Sequence, residues 1–179
     1  MMGPSDDLPM SGWDNFYVMI GSAAGALLGL TFVVIALAAD SKPTSYRGLR
    51  AFISPTIGHF STVLALAGFM LVPGHTRMSL SCGFGLVGTV GLIYSIVTGM
   101  HMRQIRANYV PVMEDWLWHV LFPLLTYASL LIIADLVLHA PGVSLYAIAG
   151  ALTLFLFIGV HNAWDVATSI SLRKQTDSR

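Results

Sequence analysis

The chain has 179 residues, 55% of them hydrophobic and 10% charged, with no net charge and a mean hydropathy of +0.73. That balance excludes an ordinary water-soluble domain, in which about a quarter of residues are charged, and gives no electrostatic reason to bind nucleic acid. Cys82 is the only cysteine, so no internal disulfide can form and cysteine usage does not report the compartment.

Apolar runs cover residues 13–39, about 49–72, 78–100, 116–138 and 143–164, each close to the ~20 residues that cross hydrocarbon as a helix. They predict one all-α integral membrane domain, a bundle of five transmembrane helices, followed by a short polar, frayed tail from about residue 169. Backbone groups find no partner in lipid and no alternating ~10-residue strands occur, so helices are expected rather than a barrel. The first run is too long for a signal peptide and follows Asp6 and Asp7 rather than Lys or Arg, so it reads as a helix of the mature protein. Eight of the nine basic residues, Lys42, Arg47, Arg50, Arg103, Arg106, Arg173, Lys174 and Arg179, fall on one side of this map and only Arg77 on the other. The positive-inside rule then puts the N-terminus outside and the C-terminus in the cytoplasm. Pro73-Gly74 and Pro141-Gly142 read as short outer turns joining antiparallel hairpins.

The first helix opens with Trp13 and Tyr17, rings suited to the headgroup level. Gly21, Gly25 and Gly29 follow at four-residue spacing, a small-residue stripe along which a second helix can approach closely. Its expected partner is the third helix, which carries Gly85, Gly88 and Gly91; the alternative is a subunit interface in an oligomer.

In the second run Ser54-Pro55 reads as an N-cap followed by proline at the first helical position. A helix starting there leaves His59 only ~6 Å from its cytoplasmic end. A start near Leu49 would place it ~15 Å deep, with Pro55 as a kink. Thr56 and Thr62 share the face of His59 and are expected to hydrogen-bond it. The third helix ends at His101, where an imidazole suits the negative end of the helix dipole.

The fourth helix begins Glu114-Asp115-Trp116-Leu117-Trp118-His119. The acids suit the positive end of the dipole and the tryptophans an interfacial belt. Pro123 cannot donate to the His119 carbonyl, so an imidazole and a freed carbonyl are expected in one region. Asp135 and His139 are spaced i, i+4 about 160° around the helix from His119 and form a separate, outer-side polar pair.

The fifth helix closes in His161-Asn162-Ala163-Trp164-Asp165. His161 and Asp165 share a face, so the carboxylate is expected to accept a ring N–H and leave the other nitrogen as base or ligand. Asn162 adds a donor and an acceptor beside them.

In this orientation His59, His119 and His161 lie in the cytoplasmic leaflet on three helices, with His101 and Asp165 at its edge. A bland explanation is polar side chains pairing across helices. No HExxH, GxSxG, CxxC or histidine box occurs, which speaks against an enzyme. The preferred reading is an oligomeric channel or small transporter of the plasma (inner) membrane, a homo-oligomer or one with partner membrane subunits. In it His59, His119, His161, Asn162, Asp165 and His101 bind or relay protons or cations. A second reading is a redox or enzymatic metalloprotein. A transition metal would be held by His59, His119, His161 and Asp165, or haem b between two imidazoles. A third is a structural accessory subunit of a larger membrane complex.

Overall fold

Long runs of Leu, Ile, Val, Ala and Phe would leave backbone groups unpaired in lipid unless each run bonds within itself, and the chain folds accordingly into helices. The computed structural model describes the backbone of residues 10, 12–39, 46–104 and 113–177, and the side chains of 10, 12–36, 55–101 and 113–168. Among the described residues five helices follow one another: α1 (Asp14–Ala39), α2 (Tyr46–Leu71), α3 (Arg77–Gln104), α4 (Met113–His139) and α5 (Pro141–Asp177). No strand occurs among the described residues.

Four stretches, Asp14–Ala36, Arg77–His101, Met113–His139 and Pro141–Thr168, are long and apolar enough to cross a membrane. The apolar part of α2, Pro55–Leu71, is shorter. Large apolar side chains such as Phe32, Leu86, Ile132, Val143 and Phe157 are more than half exposed, a surface that is stable against lipid tails and costly against water. The chain is a helical membrane protein. Of the basic residues behind the expected orientation, only the Arg77 side chain lies within the described residues.

Several expectations are corrected. Helix α2 begins at Tyr46 and carries Pro55 inside it, so Ser54 does not cap it. His59 stands thirteen residues, ~20 Å, from the start of the helix. Pro141-Gly142 is not a turn but the first turn of α5, since proline at the first helical position gives up an N–H that has no helical partner anyway. Ala140 alone separates α4 from α5, and its N–H bonds the Leu136 carbonyl at 2.7 Å. Pro73-Gly74 is a turn as expected, with Gly74 at φ +81°. There the His75 ring bridges the Phe69 carbonyl (2.7 Å) and the Ser79 hydroxyl (3.0 Å). Thr76 caps α3 by accepting the Ser79 N–H at 3.1 Å. The tail past residue 169 is helical to Asp177.

The helices do not pack in chain order. α1 lies on α2, α2 on α5, α5 on α4 and α4 on α3, while α1 also touches α5. α2 and α3, although joined by the short Pro73-Gly74 turn, make little contact, chiefly through Phe69 against Gly83 and Phe84. Antiparallel hairpin packing therefore holds for α4–α5 and fails for α2–α3. The glycine stripes part in the same way. A Cβ on Gly21 would lie 3.1 Å from the Ala67 Cβ and one on Gly25 3.9 Å from Leu64, both of α2, while Gly29 faces nothing within 4 Å. Gly85, Gly88 and Gly91 instead receive Ala134, Leu131 and Tyr127 of α4. One core runs through all five helices: Ile20 and Ala24, Val63 and Leu66, Phe84, Leu130 and Ile133, Leu152 and Phe155 are packed in a single cluster.

Candidate functional site

Proline and glycine set the local geometry of the site. Just before Pro123, α4 widens into a π turn over Leu117–Leu121, in which the Phe122 N–H reaches the Leu117 carbonyl. The opening expected from Pro123 takes this form, a displaced hydrogen-bond ladder, and His119 sits inside it, 4% exposed. Gly159 of α5 lets Phe60 of α2 press against its backbone. That close approach brings His59 onto the α5 face.

His59, 1% exposed, lies stacked on Phe155 of α5 (ring centroids 5.9 Å apart, planes at 27°) and beside Tyr127 of α4 (6.2 Å). Thr62 donates its hydroxyl hydrogen to the Gly58 carbonyl at 2.8 Å. The 3.2 Å contact between Tyr127 and Thr62 is therefore a hydrogen bond donated by Tyr127. Thr62 turns to Gly58 and Tyr127, not to His59 as expected.

His161 lies nearer the surface, its ring flat on Trp118 of α4 at 3.8 Å and 25°. Its Nε2 is 3.3 Å from Asp165 Oδ2 and 3.9 Å from Glu114 Oε1. The i, i+4 pairing with Asp165 forms as an ion-pair contact, but the alignment of a hydrogen bond is missing, so the expected N–H···carboxylate bond is not made. Asn162, the next residue, is fully buried, and neither its oxygen nor its nitrogen has a hydrogen bond among the described residues.

His119 lies within electrostatic reach of His59, of His161 and Asp165, and of Asp115 one turn earlier. Side-chain exposure falls from 67% at Glu114 to 42% at Asp165 and 23% at His161, and the next two imidazoles are buried. The sequence reading thus brought His59, His119, His161, Asn162 and Asp165 together. His101, exposed near the end of α3, is not joined to them by any hydrogen bond, ion pair or ring contact among the described residues. Glu114, Trp118 and Tyr127 were missed. In sequence Glu114 suits the helix dipole and Trp118 the aromatic belt, although their i, i+4 spacing puts them on one face.

Among the described residues no three His, Cys, Asp or Glu side chains are grouped so as to hold a metal ion. The set His59, His119, His161 and Asp165 therefore gains no geometric support as a metal centre. No protein-family model, curated protein or solved structure matches the chain.

The Asp135–His139 pair forms at the other end of α4, Nδ1 to Oδ1 3.2 Å, with both side chains about 70% exposed. The ring also meets the Asp135 carbonyl at 3.0 Å. So exposed a pair contributes little. Asp135→Asn and His139→Ala should each change unfolding free energy by about 0.5 kcal/mol or less, as measured by denaturant titration in detergent.

Proposed function

We propose that this protein carries protons or small cations across its membrane along the acidic and histidine side chains where α2, α4 and α5 meet. The observation that carries this reading is the graded row Glu114, Asp165, His161, His119 and His59, drawn from three helices and passing from solvent to the core. Ionisable groups are costly within hydrocarbon, and imidazoles can take up and release protons near neutral pH. The two carboxylates suit a mouth that gathers cations. Beyond His59 the bundle closes with Val63, Leu66, Met70, Leu130 and Ile133, so the polar row enters from one side only. That is the form of an access path in a carrier or gated channel rather than an open pore.

Five spans with the N-terminus outside and the C-terminus in the cytoplasm, in the plasma (inner) membrane, belong to the same proposal. The basic residues support the orientation. The acidic mouth then faces the cytoplasm. Reporters fused before Trp13 and after Arg179 should be active outside and inside respectively, and finding both on one side would remove it. Assembly as a homo-oligomer or with partner membrane subunits is part of this reading. The transport claim is tested with full-length protein in liposomes carrying an imposed proton or cation gradient and a trapped indicator dye. Dissipation dependent on His161 is expected; a gradient as stable as in empty liposomes would refute it.

A further inference from the structure

The fully buried polar side chains among the described residues are hydroxyls, two imidazoles and one amide, with no carboxylate, ammonium or guanidinium. Most of the hydroxyls are satisfied locally: Thr31, Ser95, Thr126 and Ser144 donate to carbonyls three or four residues earlier. Asn162 and His59 are different. The amide, 0% exposed, has no hydrogen bond from Oδ1 or Nδ2, and the His59 Nδ1, in a ring 1% exposed, has none either. An amide can make four hydrogen bonds, and leaving one unmet inside a protein is costly.

These two side chains occupy one seam. His59 stacks on Phe155, and Asn162 follows Phe155 by seven residues, two turns along the same face of α5. Thr56 of α2 and Ala163 of α5 line one groove, so the two helices run antiparallel and Asn162 stands level with the turn of α2 that holds Pro55 and Thr56. Pro55 brings no N–H to the ladder there, which removes the helical partner of the Ala51 carbonyl. The unmet amide of Asn162 thus lies just cytoplasmic to His59, under the orientation proposed above.

We propose that Asn162 and His59 hold a short file of water in this seam, and that the species carried along it is the proton rather than a metal cation. The inference rests on the transport reading and names its substrate. Buried polar sites of this kind take ordered water, each molecule with about three polar partners. A sodium or potassium ion would need a shell of oxygen ligands in place of its hydration, and a leg that offers the Asn162 amide oxygen, the Ala51 carbonyl and no fixed charge cannot supply it. A proton needs less. Each water accepts one proton and releases another, and His59 takes a proton on one ring nitrogen while giving up the proton on the other, with no net bond made. The ionisable groups around the leg are Glu114, Asp115, His119 and Tyr127 from α4, His161 and Asp165 from α5, and Tyr94 from α3.

The test uses full-length protein and two readouts. In lipid nanodiscs, NMR should show magnetisation transfer from water to the Asn162 side-chain amide and to the His59 ring; no transfer to the amide overturns the water file without reference to transport. In liposomes, Asn162→Leu should lower proton flux by about 100-fold, the scale of losing one positioned proton-transfer group. Asn162→Ser, which keeps a hydroxyl for water to bind, should retain most of it, and sodium and potassium flux should stay at background throughout. Proton flux unchanged in a folded Asn162→Leu protein overturns the relay, and sodium or potassium flux that depends on His161 overturns the choice of the proton. No flux of any ion through the wild type, with water still touching the amide, locates the failure in the transport reading itself.

Discussion

Gly91→Leu is expected to be the most damaging single change in the bundle, costing about 3 kcal/mol or more. A Cβ at this position would fall within the Tyr127 ring. The ring has nowhere to go: it is 4% exposed, lies 4.6 Å from the Phe155 ring and is tied through its hydroxyl to Thr62. Overpacking of this kind costs about 1–3 kcal/mol and occasionally more, and displacing Tyr127 would forfeit its hydrogen bond, worth about 1 kcal/mol. The same substitution at Gly29, which meets nothing within 4 Å, should stay within about 0.5 kcal/mol, and Gly25→Leu should fall between. Unfolding in mixed detergent followed by tryptophan fluorescence would rank the three. Equal losses at Gly91 and Gly29 would mean that α3 and α4 do not meet as described. Because Tyr127 also flanks His59, Gly91→Ala is expected to disturb flux before it unfolds the protein.

The second large effect is expected at His161, where replacement by alanine should lower proton flux by about 100-fold, the usual scale for removing a positioned acid–base group. His161 is the joint between the exposed carboxylates and the buried imidazoles. Its two acidic neighbours approach the same nitrogen, at 3.3 and 3.9 Å, so each can stand in for the other. Asp165→Asn and Glu114→Gln should therefore each lower flux only a few-fold, while the double variant should lose far more than the product of the two, a non-additivity expected of groups that share one partner. The exposed carboxylates should also act less strongly at high salt, where the screening length falls to about 3 Å at 1 M. A polar cluster that only holds helices together would give another pattern. All these variants would then lose stability together, and flux would fall only in proportion to folded protein.

Much of the candidate site could be read in the sequence because its residues announce themselves by type. A histidine inside a run such as Val143 to Trp164 has no innocent solvent to face, and the i, i+4 spacing of His161 and Asp165 is a local property of one helix. Pro123 beside His119 likewise predicted a break in the ladder, and a π turn is there. Residues that looked ordinary were passed over. Glu114 and Trp118 have sufficient local reasons to sit at a helix start, and only the approach of α5 to α4 reveals that they bracket His161. The burial of Asn162 with its amide unmet is likewise invisible until α2 is laid against α5.

The sequence by itself determined that the chain is a helical membrane protein, because hydrophobic composition selects the solvent and a backbone in hydrocarbon must bond within its own segment. It also located the Pro73-Gly74 turn, since glycine alone takes φ +81° without strain. What only the tertiary structure decided is which face meets which. The Ser54-Pro55 start of α2 failed as a reading because the Ser-Pro pattern does not by itself separate a helix start from a proline held inside a longer helix, and Pro55 lies inside α2. The glycines of α1 were expected against those of α3, yet they lie against Ala67 and Leu64 of α2, while Gly88 and Gly91 receive α4. A glycine stripe advertises that some helix can come close; the shape of the side chains opposite, carried on a segment distant in sequence, decides which one does.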